Sequence, residues 1–472
     1  MSVRCYVRSL KPDRRDAPSY RSRLPCSWRI PGPGSPAPRH LLFLGRATPL
    51  EPFPYAAPPL AIRAERAYTH RPMSALYDLA RHEPLADLKW SASRVRDEIP
   101  VICRDAESAF DPDRLWPLHP DDCEPGIPAD GILRGLYVGA AGMLHGLGRL
   151  AEAGLHCPTL DAAAVVAELH EAALASPDED GAGASLLVGS SGILLVAHRL
   201  APSAAIADAL ADALADAIAA NLEQPSNELL LGAPGTMLAA RVMHARTREE
   251  RFAELWRASA RTLLARQETD GLWTQDLYGE RLRHVGAAHG FAGNVRALTG
   301  ASEWLDDAAA VEARAVATAR VLAIEDGEVA SWPVLPPGSP TGAPPRVQWC
   351  HGAAGVVTSL AAIGGGDDRY SALLSAGGEL VWRAGPLARN AGLCHGTAGN
   401  GFAFLALLAR TGDERWLERA RAFAMHAIDQ VARSRAAAAR GRYTLFTGDI
   451  GAALLAAACL QGDTAFPGID DL

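Results

Sequence analysis

The sequence predicts an all-α protein, an α/α toroid in which seven repeats build a double ring of helices. Three observations point there. Alanine and leucine dominate the long apolar stretches while aromatics make up only 6% of the chain, a balance that favours helices over strands. A Gly-x-x-Gly turn followed by an apolar run recurs seven times. Between these apolar runs lie amphipathic ones, so buried and half-exposed helices alternate along the chain.

Taken in order, the first segment stands apart. Residues 1–72 hold 13 of the 33 prolines and 12 arginines against four acids, and PGPGSPAPR and EPFPYAAPP break any helical period. We read 1–72 as a disordered N-terminal extension or a misplaced start, with Met73 opening the folded unit, and 73–472 as one toroid domain.

The turns are Gly139–Gly142, Gly189–Gly192, Gly232–Gly235, Gly290–Gly293, Gly352–Gly355, Gly396–Gly399 and Gly448–Gly451, their first glycines 50, 43, 58, 62, 44 and 52 residues apart. Each interval holds two helices of about 12–15 residues with connections. Runs such as GILLVAHRLA and GNGFAFLALLAR are apolar nearly all round and predict inner helices. The stretches 204–222, 252–267 and 413–435 place apolar residues three and four apart and predict outer ones. Glycine at the turns permits positive φ and close backbone approach.

Composition excludes several function classes. A net charge of −8 disfavours nucleic-acid binding, and no apolar stretch reaches the ~20 residues of a transmembrane helix. Eight irregularly spaced cysteines do not make a disulfide framework, which predicts a cytoplasmic protein.

Aligning the repeats on their first glycine brings chemistry into register. Cys350 and Cys394 each stand two residues before a first glycine; His289 and His395 each stand one before. In a ring, equivalent positions lie at equivalent heights, so these side chains converge at one end of the central opening. Two cysteines and a histidine, Cys350, Cys394 and His395, form a three-ligand Zn2+ set with an open fourth position, the count of a catalytic site. Cys103, Cys123, Cys157 and Cys459 share no such register and read as structural, as do His145, His198, His244 and His426. His351 follows a proposed ligand and either lines the site or packs.

An open zinc site activates water or an incoming thiol. Thiolate-rich ligation suits thiol alkylation or addition. Attack on an α,β-unsaturated amide gives an enolate that must be protonated, and His289 is the candidate acid. Glu228, four residues before Gly232, is a candidate to orient it.

The segments QWCHGAAG, GLCHGTAGNGFAFL, HVGAAHGFAG and NELLLGAPGTMLAA together resemble the lanthionine synthetase C-like family over approximately residues 75–472, and more closely its stand-alone members than the dedicated lanthipeptide cyclases. The resemblance implies an α/α toroid with one zinc on Cys350, Cys394 and His395, and an acid/base role for His289. Cyclases carry an aspartate where this chain has Glu228; the corresponding position of the second repeat is Ser185. Arg389 occupies the place of a basic residue found in glutathione-binding relatives, and Arg346, four before Cys350, is a candidate to stabilise the enolate. The implied reaction adds a thiol, glutathione or a peptide cysteine, to dehydroalanine or dehydrobutyrine of a peptide or protein, forming a thioether.

Three alternatives stay open at this point. A prenyltransferase-type ring enzyme also activates thiols on zinc, but its set includes a carboxylate and its cavity is aromatic. An α/α-barrel glycosidase needs two opposed carboxylates, and no such pair recurs at the turns. A non-catalytic relative would hold glutathione or a peptide without turnover.

Overall fold

In the computed structural model, the described residues are 76–122, 132–166, 169, 183–201, 203–277, 279–339 and 343–472. The expectations for residues 1–72 and for Cys123 lie outside them.

The chain forms outer and inner helices in strict alternation. Outer α1 (Ala92–Ser108) precedes inner α2 (Ala140–Glu152). Residues 162–166 are helical and precede inner α3 (Ser190–Arg199). The pairs α4 (Ala204–Asn221) and α5 (Ala233–Thr247), then α6 (Glu250–Ala265) and α7 (Phe291–Thr299), follow. The last three pairs are α8 (Ala308–Leu322) with α9 (Ala353–Leu360), α10 (Asp368–Ala384) with α11 (Thr397–Thr411), and α12 (Arg415–Ala438) with α13 (Asp449–Gln461). The α/α toroid is therefore as the repeats predict. Two hairpins that periodicity does not announce, β1–β2 (Gln275–Leu277, Glu280–Leu282) and β3–β4 (Ile324–Asp326, Val329–Ser331), decorate the links after α6 and α8.

Burial follows the pattern. Asp449 through Cys459 of α13 are all buried, whereas α6 buries only one face, including Phe252, Trp256 and Leu263. Each large apolar side chain so buried contributes roughly 1.5–3 kcal/mol. The ring closes because α13 packs on both α1 and α2.

A backbone collar runs around one end of the ring. Residues two before the first glycines bond one another across neighbouring repeats. The Tyr137 N–H donates to the Leu187 carbonyl (2.7 Å), Cys350 to Cys394 (3.1 Å), Cys394 to Phe446 (2.8 Å) and Phe446 to Tyr137 (3.1 Å), the last joining the final repeat to the first. Leu229, three before its glycine, donates to Ala288 (3.1 Å).

The lead-ins also cap the inner helices. A helix leaves its first N–H groups without intrahelical partners. Here Thr397, Ala398 and Gly399 donate to the carbonyls of Asn390, Ala391 and Gly392 at 3.1, 3.1 and 3.2 Å, and α2 is capped in the same way. This explains the second glycine of each turn: a Cβ on Gly355 would stand 1.7 Å from the Trp349 carbonyl oxygen, and one on Gly399 1.7 Å from that of Leu393. The expected positive φ holds only at Gly352 (φ 92°); the other first glycines are extended. Close backbone approach, rather than handedness, dictates most of the motif.

The C-terminal tail fills the ring interior beneath the collar. Phe466 is 1% exposed and stacks on Trp349 at 4.8 Å. Beyond it, Asp470 pairs with Arg296 of α7, and Asp471 bonds His145 and Arg149 of α2 at 3.0 Å each.

Candidate metal centre

The collar fixes the backbone of two neighbouring repeats and so aims their side chains. Gly352, bridged to Val347 across a tight turn, takes φ 92°, and a Cβ there would meet the Arg346 carbonyl at 1.7 Å. That turn presents Cys350 and His351. The adjacent lead-in presents Cys394 and His395. One ligand atom each from Cys350, Cys394 and His395 lie within 4.8 Å of one another. A tetrahedral zinc with S and N ligands needs edges of roughly 3.5–3.8 Å, which this spacing accommodates. Both cysteines are buried (5% and 3% exposed), and His395 Nε2 is a buried nitrogen with no hydrogen-bond partner. A buried polar atom without a partner costs stability unless something satisfies it. Two soft sulfurs beside an unsatisfied imidazole nitrogen fit zinc.

The two thiols are pushed in opposite directions. Cys350 is held well below the ordinary thiol range, first by the hydrogen bond from Cys394, then by nearby His351 and His395, against the cost of burial. Burial and the Cys350 charge push Cys394 well up. The Tyr137 hydroxyl bonds Cys394, and the Gln348 amide donates from Nε2 to Cys350 Sγ at 2.8 Å.

Three imidazoles lie beside this pair. Ring centroids of His284, His289 and His351 are 5.3–6.0 Å apart. Burial, then mutual repulsion, lowers His284 to about 3. Burial also lowers His351 to about 4, despite the Cys350 charge. His289 goes the other way: burial opposes its charge, but the hydrogen bond to and charge of Glu228 outweigh it and raise its pKa. Glu228 is fully buried. Its Oε2 accepts from His289 Nδ1 (3.2 Å) and the Leu230 N–H (2.9 Å), and its Oε1 from the Leu231 N–H (2.6 Å). Of the three imidazoles, only His289 has its charged form favoured, and it is the one that meets a buried carboxylate.

Every sequence-predicted site residue reaches this end of the ring. Arg389 lies close enough to act on Cys394, and Arg346 on His351. Sequence reading missed Tyr137, Gln348, His284 and Arg81. Tyr137 stands at the same register as the two cysteines, so alignment of the repeats could have found it. Arg81, 267 residues from its partner Gln348, leaves no local signal. Cys103 and Cys459 are buried free thiols, as expected of structural cysteines. Cys157 is disulfide-bonded, which the sparse cysteine pattern did not predict.

Residues 134–470 match the family model described as lanthionine synthetase C-like protein. The chain belongs to the lanthionine synthetase C-like family. Among curated relatives of this LanC-like chain, the LanC-like protein GCL1 of Arabidopsis thaliana is 44% identical over 85 residues, 17% of this chain and 19% of that protein. The glutathione S-transferase LANCL1 of Danio rerio is 44% identical over 80 residues, 16% of this chain and 20% of its own length. The matched segment therefore spans about a fifth of either relative. Nisin cyclase shares the fold, with a TM-score of 0.55 at 15% identity, covering 78% of this chain and 94% of its own. Among the described residues, no helix is long and apolar enough to cross a membrane.

Proposed function

We propose that this LanC-like chain is a zinc-dependent enzyme that adds a thiol to dehydroalanine or dehydrobutyrine residues of a peptide or protein, forming a thioether. Cys350, Cys394 and His395 would hold the metal. When bound there, zinc supplies a Lewis-acidic centre that favours the thiolate form of an incoming thiol. Glutathione is the thiol we favour, since the Danio rerio relative is named for it; a peptide cysteine is the other source of the same group.

The chain's own residues supply the rest. Addition forms a C–S bond at the β-carbon and moves the π pair toward the α-carbon and its carbonyl. His289 delivers a proton to the α-carbon. Its Nδ1 is tied to Glu228, so Nε2 is the donating atom, and the thiol's own proton restores the imidazolium. Glu228 holds that ring and favours its charged form. Arg346 offers positive charge to the enolate oxygen, and Arg389 to a carboxylate of the thiol substrate. The neutral His284 and His351 wall the site without competing as acids. Reduced Cys350 and Cys394 suit the cytoplasm, and the Cys157 disulfide is the feature that points elsewhere.

The observation that carries the proposal is His289, hydrogen-bonded to buried Glu228, beside a Cys-Cys-His cluster on one hydrogen-bonded collar. The test is incubation of the purified protein with a dehydroalanine peptide and glutathione, followed by mass spectrometry. A gain of one glutathione, absent in Cys350→Ala and reduced at least 100-fold in His289→Asn, supports the proposal. A non-catalytic binder would show no gain and bind glutathione equally well with His289→Asn.

A further inference from the structure

We propose that Gln348 is a positioning residue for the metal centre: its amide, oriented by Arg81, donates a fixed hydrogen bond to Cys350 Sγ and holds that sulfur in its ligating position. The inference rests on the zinc-site reading above and assigns work to two residues that the reaction itself does not use.

Three observations carry it. First, Gln348 is 4% exposed, so its amide must be satisfied within the protein. Its Nε2 lies 2.8 Å from Cys350 Sγ, and its Oε1 accepts from Arg81 Nη2 at 2.9 Å. Second, the orientation of the amide is forced. A guanidinium has only donors, so the amide oxygen must face Arg81 and the NH2 must face the sulfur. A flipped amide would set donor against donor at the Arg81 end and remove the N–H from the sulfur. Third, Arg81 is itself held. It belongs to a strap that precedes the ring and is stitched to the lead-in of the sixth repeat. The Ala388 N–H donates to the Arg81 carbonyl and the Glu83 N–H to the Pro386 carbonyl, both at 3.0 Å. That lead-in goes on to carry Cys394 and His395. The strap therefore ties the orientation of a fifth-repeat sulfur to the backbone of the sixth repeat.

Partners that orient metal ligands typically change metal affinity by 10–100-fold when removed. Gln348 meets that description: it touches the ligand and would not touch the cation. An N–H···S bond restrains the sulfur and withdraws charge from it, so both zinc affinity and ligand-to-metal charge transfer report on it.

The experiment measures zinc affinity of the full chain by competition with a chromophoric chelator, and the near-ultraviolet sulfur-to-metal band after Co2+ loading. Neither readout needs turnover. Gln348→Leu keeps the volume and loses the bond; we expect about tenfold weaker zinc binding and a shifted Co2+ band. Gln348→Glu places a carboxylate against the sulfur and should weaken binding further. Arg81→Ala frees the amide to flip and should weaken binding several-fold in the native background but not on top of Gln348→Leu, because the two act as one unit. Circular dichroism confirms folding of each variant.

Wild-type affinity and an unmoved Co2+ band in Gln348→Leu would overturn the assignment. So would additive losses from Gln348→Leu and Arg81→Ala. If the native chain bound no zinc, the proposed function would fail and this inference with it. If the native chain bound zinc and added thiols while the variants stayed flat, only this inference would fail.

Discussion

Replacing Glu228 by glutamine tests the acid role proposed for His289. The side chain is fully buried, and its two oxygens accept from His289 Nδ1, the Leu230 N–H and the Leu231 N–H at 3.2, 2.9 and 2.6 Å. Glutamine keeps one acceptor oxygen and turns the other into a donor. If the oxygen stays on Leu231, the new NH2 confronts both the Leu230 N–H and His289. The charge that outweighs burial at His289 is then gone, and burial alone pulls its pKa below the ordinary value. Loss of an adjacent opposite charge shifts a pKa by about 1–3 units, and each unit is 1.36 kcal/mol, or tenfold in the protonated fraction above the pKa. The assay is the pH profile of thiol addition with zinc content held equal. The alkaline limb should move to lower pH by at least about one unit, leaving roughly a tenth of the native rate well above it. Urea unfolding should show a loss of about 1–3 kcal/mol from the unsatisfied backbone donor. A folded, zinc-replete variant whose alkaline limb stays put, or moves upward, would refute the argument.

Other perturbations follow from the same structure. Asp471 is held below the ordinary carboxylate range because its bonds to His145, the Gly468 N–H and Arg149 outweigh burial. A depressed carboxyl contributes stability above its unfolded-state pKa and loses it as pH falls through the folded value, so Asp471→Asn should cost about 3 kcal/mol near pH 7, with the gap to native narrowing in acid, as thermal unfolding would show. Asp449 is the opposite case: burial raises it to about 7 although it accepts from the Arg442 N–H. A raised carboxyl favours the fold at low pH and loses that contribution as pH rises toward about 7, so Asp449→Asn should stabilise the protein at pH ~8 by up to about 4 kcal/mol and leave it unchanged in acid. Gly355→Ala forces a Cβ to within 1.7 Å of the Trp349 carbonyl and should displace the lead-in that carries Cys350, lowering both melting temperature and zinc affinity. Gly365→Ala, where a Cβ would meet nothing within 4 Å, is the neutral control.

The architecture was legible because each repeat writes the same local rule. A helix that must be buried all round is apolar all round, and a lead-in carbonyl laid against the second glycine of a turn excludes a side chain. The clustering of Cys350, Cys394 and His395 was legible for the same reason: register within a repeat becomes height within the ring. What stayed hidden was contact between distant segments with no shared period. Arg81 precedes the ring altogether and meets Gln348 only after the strap is laid across the sixth lead-in. The opposite pKa shifts of His289 and of His284 and His351 depend on which one meets a buried carboxylate, and only the Glu228–His289 pair had a sequence signal. The hairpins β1–β2 and β3–β4 are three-residue strands, too short to show alternation.

The most direct test of the account is zinc K-edge X-ray absorption on protein purified without chelators. Two sulfurs at about 2.3 Å with nitrogen or oxygen at about 2.0–2.1 Å, one zinc per chain, and loss of a sulfur shell in Cys394→Ser are the predicted result. A zinc shell of nitrogen and oxygen alone, or a correctly folded chain that takes up no zinc, would contradict it.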